Sequence, residues 1–122
     1  MLQQLHDGVR YFDLRVCARH QGFDGELWIV HSMFSLPLRE VVEAVATFIE
    51  ENPYEVVILD LNHLYCMGER EHMVCLRLFQ DILGDHIASS DLGPNATLQK
   101  FWDAGQQVSR SLSDYFSPLG YI

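Results

Sequence analysis

The chain has 122 residues, enough for one hydrophobic core and too few for two. Its 48% hydrophobic and 20% charged content excludes a disordered or low-complexity polymer. With 17 acidic residues against 8 basic, the formal net charge of −9 repels phosphate backbones and anionic headgroups, so nucleic acid is excluded as a partner and an anionic substrate must be caught by local cations.

In chain order, the first predicted element is a strand over Val9–Cys17, within GVRYFDLRVC. Side chains alternate along a strand, which puts Tyr11, Asp13, Arg15 and Cys17 on one face and Phe12, Leu14 and Val16 on the other. A second strand, Glu26–His31, carries Leu27, Ile29 and His31 on one face. Only ARHQGFDG separates these two, short of the dozen or so residues of a parallel crossover, so on length the pair is open to an antiparallel hairpin. SLPLREVVEAVATFIEENP then reads as a helix: Leu38, Val41, Val42, Val45, Phe48 and Ile49 follow helical spacing, Pro37 lies near the start and Asn52-Pro53 closes it.

The third strand, Glu55–Asn62, contains VVILDL, whose β-branched content predicts burial on both faces, with Ile58, Asp60 and Asn62 sharing one of them. Glu26–Asn62 therefore reads as one βαβ unit. A helix over Glu69–Leu83 follows, with Met73, Leu76, Phe79, Ile82 and Leu83 on its apolar face and Gly84 as C-cap. IASSDLGPNATL reads as loop, Thr97–Ala104 as a short helix, and GQQV as the opening of a strand. The continuation SRSLSDYFSPLGYI is polar and turn-prone and is not expected to finish a sheet. Alternating strands and helices predict an α/β protein with a parallel sheet.

Cys17, Cys66 and Cys75 form no C-x-x-C pair, and their odd number fits buried thiols in a reducing compartment. No basic-then-apolar leader stands at Met1, and no apolar run nears the roughly 20 residues that span a bilayer, so the expectation is a cytoplasmic or nuclear protein with at most peripheral membrane contact. Trp28 and Trp102 are assigned to the core, His6 to solvent, and the triplet Asn95-Ala96-Thr97 to chance.

All three predicted strands finish on polar groups: Asp13 and Arg15, then His31, then Asn62-His63. In parallel α/β sheets and barrels that C-terminal rim is where active sites are built. Taken alone, Asp13 and Arg15 read equally well as a self-neutralising buried ion pair, and His31 or His63 as a satisfied core histidine. Taken together, an arginine, a histidine and a carboxylate are the equipment of phosphodiester cleavage. The guanidinium fork matches two phosphate oxygens, and imidazole hands a proton to a leaving alkoxide.

QLHDGVRYFDLRV, LWIVH and NPYEVVILDLNHLY resemble the X domain of phosphatidylinositol-specific phospholipase C, most closely the small proteins that have little beyond that domain, over roughly Gln4 to Val108. The resemblance implies a distorted (β/α)8 TIM-like barrel, which takes around 250 residues, so this α/β chain is expected to be a truncated or spliced form lacking the first strand and the second half. Residues 1–108 are then a partial X domain and residues 109–122 a divergent tail. The resemblance also implies that two histidines cleave the phosphodiester of an inositol phospholipid, the first as general base and the second as general acid. His31 matches the second histidine, Asp13 the carboxylate on the preceding strand and Arg15 the residue two further on, while Asn62 falls at a polar substrate-binding position.

Calcium-dependent relatives carry a carboxylate where Arg15 stands, whereas bacterial ones carry an arginine and need no metal, so no cofactor and no calcium are expected: a fixed cation takes the ion's role. Two departures stand out. The first catalytic histidine belongs to a T-H-D-S-type motif upstream of GVRYFDLR, and nothing before Gly8 matches it, since His6 lies too near the strand. The usual glycine after the second histidine is Ser32. The expectation is a phosphoric diester hydrolase of lipid metabolism by descent, catalytically incomplete in this chain and prone to self-association through the open half-barrel. The rivals are a non-catalytic fragment or splice product acting as an interaction module, and a glycerophosphodiester phosphodiesterase, whose metal-ligating carboxylates fit Arg15 badly.

Overall fold

The computed structural model describes residues 1–19 and 26–112. In chain order the elements are α1 (Leu2–His6), β1 (Tyr11–Ala18), β2 (Leu27–His31), β3 (Met33–Pro37), α2 (Leu38–Glu51), β4 (Val57–Tyr65), α3 (Glu69–Leu83), α4 (Leu98–Ala104) and β5 (Val108–Leu112). The sheet order is β3-β2-β1-β4-β5. β1 pairs antiparallel with β2 and β2 with β3, while β1 pairs parallel with β4 and β4 with β5.

The short connection after β1 thus makes the hairpin that its length allowed. The βαβ reading of Glu26–Asn62 is corrected: β2 runs against β4, and the strand that feeds α2 is β3. MFSLP carries no alternation that would mark a strand. It becomes one because the chain reverses at Ser32, at a φ of 65°, and lays an exposed edge strand on β2 that ends at Pro37, where a missing N–H costs the ladder nothing. Because β2 runs the other way, the ends of β1, β2 and β4 do not form one rim.

One face of the sheet is covered. Phe12, Leu14, Val16 and Ala18 of β1, Leu27 of β2 and Val57, Leu59 and Leu61 of β4 pack against α2 and α3. α2 buries the six apolar residues that its periodicity marked. α3 keeps its predicted ends, but its buried stripe is Cys75, Phe79 and Leu83 at four-residue spacing, and Met73 is exposed. Glu71 accepts a hydrogen bond from the Gly68 N–H at 2.9 Å, satisfying one of the orphan donors at the start of α3. Among the described residues no helix is long and apolar enough to cross a membrane.

Two polar side chains tie the layers together. Arg10 donates to Glu55 at 2.7 Å and to the Leu5 carbonyl at 2.6 Å, and lies 4.6 Å above the Phe48 ring, joining α1, the start of β1 and α2. Gln107, buried, donates to the carbonyls of Asn52 at 3.1 Å and Glu55 at 3.3 Å, so the chain leaving α2 is pinned to the start of β5.

The sheet's other face is open. Ile58 is 38% and Tyr11 55% exposed, so VVILDL is buried on one face rather than two. That open face also explains the polar tail. β5 continues through Leu112, with Ser109 opposite Ile58 and Ser111 opposite Asp60 on the open side, while Arg110 turns inward, 5.6 Å over Phe79. The expected end of the sheet at Ser109 is corrected accordingly, and 113–122 lie outside the described residues. Three further assignments change: His63, Cys66 and Trp102 are exposed, the last donating from its indole N–H to the Tyr54 carbonyl at 2.8 Å. His6 is exposed as expected.

Phe79→Ala should destabilise the chain by about 3–5 kcal/mol and Met73→Ala by less than about 1 kcal/mol, read from urea unfolding midpoints. Equal losses would mean that α3 presents a different face to the sheet.

Candidate functional site

The open face is organised by the β1–β4 ladder. Tyr11, Phe12 and Asp13 pair with Ile58, Leu59 and Asp60, after which the register shifts and Arg15, Val16 and Cys17 pair with His63, Leu64 and Tyr65. Between Asp13 and Arg15 the chain advances two positions on β1 and three on β4. This bulge in β4 reverses its alternation. Asp60 shares a face with Asp13, and beyond the bulge His63 shares a face with Arg15. Simple alternation from Asp60 points to Asn62; the structure puts Asn62, exposed, within the bulge and brings His63 level with Arg15. The His63 ring stacks on Tyr65 at 5.7 Å with 19° between the planes, an arrangement remote from a core histidine.

Asp60 is the hub of this face. One of its carboxylate oxygens accepts the Tyr11 hydroxyl at 2.5 Å and the other accepts the Ser111 hydroxyl. Tyr11 is consequently harder to ionise than an ordinary tyrosine. Its proton is held first by the bond to Asp60, then by partial loss of water, then by the charges of Asp60 and Asp13. Three strands thus meet through side chains 49 and 51 positions apart in the sequence. Sequence reading places Tyr11 and Asp60 on polar faces but gives them no role. The signal available is a tyrosine and an aspartate at outward positions of two strands; their contact needs the register.

Asp13 is exposed and Arg15 half-buried, and among the described residues no ion pair joins them. The self-neutralising buried pair is therefore not what the strand holds. Asp13 instead stands beside Asp60 across the ladder, a like-charge juxtaposition that a sheet does not adopt for stability. The other arginines in or flanking these strands are occupied: Arg10 by Glu55, Arg19 by the rings of Trp28 and Phe34 at 4.9 and 5.6 Å, and Arg110 by the Phe79 ring on the helix side of the sheet. Arg15 is the guanidinium available to a ligand on this face.

His31 ends β2 and is exposed, with Ser32 turning the chain so that His31 pairs with Met33. Val16–Ile29 is the last pair of the β1–β2 ladder, and His31 lies two residues further along β2. The structure thus gathers Asp13, Arg15, Asp60 and His63 on one face and leaves His31 one strand away, with no hydrogen bond to Asp13 or Arg15 among the described residues.

The model of the phosphatidylinositol-specific phospholipase C X domain matches residues 1–108. The human PI-PLC X domain-containing protein 3 is 34% identical over 95% of this chain, and the human PI-PLC X domain-containing protein 2 is 30% identical over 87%. A Dictyostelium discoideum PI-PLC X-box domain-containing protein is 32% identical over 96% of this chain and 15% of its own length. The chain spans about 35% of the two human relatives. Among solved structures, a phosphatidylinositol-specific phospholipase C of S. aureus, from work on its membrane binding, aligns with a TM-score of 0.67 and 18% identity over 90% of this chain and 37% of that one. That likeness establishes the fold, a portion of a (β/α)8 barrel. With 108 of its 122 residues under the family model, the chain belongs to the phosphatidylinositol-specific phospholipase C X-domain family.

Proposed function

We propose that this chain carries the phosphate-binding part of a phosphodiesterase site of the phospholipase C type, directed at the phosphodiester of an inositol phospholipid. The observation that carries the reading is Arg15: a half-buried guanidinium on an open face, unpaired among the described residues, with Asp13 next to it and His63 in register. A guanidinium fork in that setting takes two phosphate oxygens at once and keeps its charge at any physiological pH.

In this reading Arg15 clamps the phosphate and stabilises charge that builds on its oxygens as the inositol hydroxyl attacks phosphorus. The bond that breaks is the one to the glycerol oxygen, which leaves with a proton from His31, the general acid that the family resemblance assigns. Asp13 orients the reacting groups and Asn62 contacts the inositol. His63 adds a second imidazole level with the bound phosphate. Because the chain spans about 35% of its human relatives, we assign phosphate capture to it and full turnover to a whole protein of the family. Arg15 supplies a fixed positive charge where a metal ion would otherwise sit, and so we propose that capture is independent of calcium.

Sedimentation with phosphatidylinositol vesicles should show binding that Arg15→Gln weakens by about 10–100-fold, the worth of a charged hydrogen-bonded contact. Arg15→Gln binding as well as the original chain would overturn the reading. Calcium and EGTA should each leave that binding unchanged; a rise with calcium would assign the phosphate contact to a metal instead. The raised Tyr11 ionisation carries its own pH signature. A folded value above the unfolded one, about 10, contributes stability that is complete below that pH and is lost as pH rises through the folded value. Urea midpoints should therefore fall on the alkaline side for the original chain and fall less for Tyr11→Phe.

A further inference from the structure

We propose that Cys17 and Cys66 form an oxidisable thiol pair that closes to a reversible intramolecular disulfide at the ends of β1 and β4. Cys17 pairs across the parallel ladder with Tyr65, and Cys66 is the next residue. Strands about 4.8 Å apart, with about 3.3 Å per residue along them, set the two Cα atoms about 6 Å apart on the diagonal, inside the roughly 4.4–6.8 Å range that a disulfide bridges. The chain bends out of β4 at Cys66, whose φ of 54° lies in the left-handed region that cysteine seldom adopts. The two thiols are close enough for Cys66 to act on the ionisation of Cys17, whose thiol donates to the Ala18 carbonyl at 3.4 Å.

The pair divides the labour by exposure. Cys66 is exposed and Cys17 buried, and loss of water, then the neighbouring thiol, hold Cys17 in its protonated form. Cys66 is therefore the sulfur that meets an oxidant. With hydrogen peroxide, the Cys66 thiolate attacks one oxygen, the O–O bond breaks, and Cys66 becomes a sulfenic acid as hydroxide leaves. Cys17 sulfur then attacks Cys66 sulfur, the S–O bond breaks, and the departing hydroxide takes the Cys17 proton as water. Two thiols lose two electrons together, and the peroxide is reduced to two waters once the first hydroxide is protonated. A dithiol reverses the bond. Cys75 lies outside this chemistry: it is buried on α3, 2% exposed, with its thiol pushed up to about 12 chiefly by desolvation. The new bond would clamp β1 to β4 just beyond Arg15 and His63, on the far side of the bulge that brings them level. The pair rests on the thiols alone and does not depend on the proposed phosphate site.

The test treats the full chain with hydrogen peroxide, alkylates it with N-ethylmaleimide in denaturant, and maps the thiols by mass. Expected is the loss of two alkylatable thiols of three, a peptide joining Cys17 to Cys66 within one chain, and full recovery with dithiothreitol. In Cys66→Ser, Cys17 should stay alkylatable; in Cys17→Ser, Cys66 should stop at a dimedone-trapped sulfenic acid. Cys66 consumed while Cys17 stays free in the original chain, or bridges that run only between chains, would overturn the pair. The peptide map of the unsubstituted chain decides between these outcomes, so a variant that fails to fold does not shield the pair from disproof.

Discussion

The arrangement of the open face depends on one added residue in β4. In a regular parallel ladder Arg15 would pair with Asn62, and every outward residue of β4 would keep the parity of Ile58 and Asp60. The shift between Asp13 and Arg15 sends His63 to the outward side and Asn62 into the bulge. A one-residue change of register exchanges the faces of everything downstream. Here the exchange is local, because Leu59 and Leu61 before the bulge anchor β4 to the helices, while beyond it the strand needs to bury only Leu64 in part. The hydrophobic layer fixes the first half of the strand, and the bulge re-aims the second.

What is legible in the sequence follows the same division. α2 and α3 are readable because their apolar positions recur at helical spacing and end on Asn52-Pro53 and Gly84. The faces of β1 are readable because Phe12, Leu14 and Val16 alternate strictly with polar or aromatic partners. β3 is not, since an exposed edge strand has no buried face to impose a period. Ser109–Leu112 reads as a tail because parallel-strand recognition expects apolar residues on both faces, and β5 is an edge strand of a sheet covered on one. His63 is misplaced when alternation is carried through a bulge. The Tyr11–Asp60–Ser111 contacts are invisible for a different reason: they join three strands whose mutual register no single segment encodes.

Electrostatics explain why such a face persists in a chain of net charge −9. Asp13 and Asp60 side by side would repel, but two hydroxyls donate to Asp60 and spread its charge, and Arg15 follows immediately along β1. The remaining arginines in or flanking the strands are spent on structure, Arg10 on a carboxylate and Arg19 and Arg110 on aromatic rings. Local positive potential on the open face is thereby concentrated at the Arg15 guanidinium, set within an acidic surface.

Polarity along β1 and β4 is graded. Tyr11 and Ile58 come first, Asp13 and Asp60 next, and Arg15 and His63 after the bulge. In barrels of this architecture the inward side chains of parallel strands stack in apolar layers, and Tyr11 and Ile58, 55% and 38% exposed, stand at the beginning of the two strands. The charged groups lie further on, toward the strand ends, where barrels of this architecture place chemistry rather than stability. The gradient therefore divides one face between an apolar beginning and a charged end.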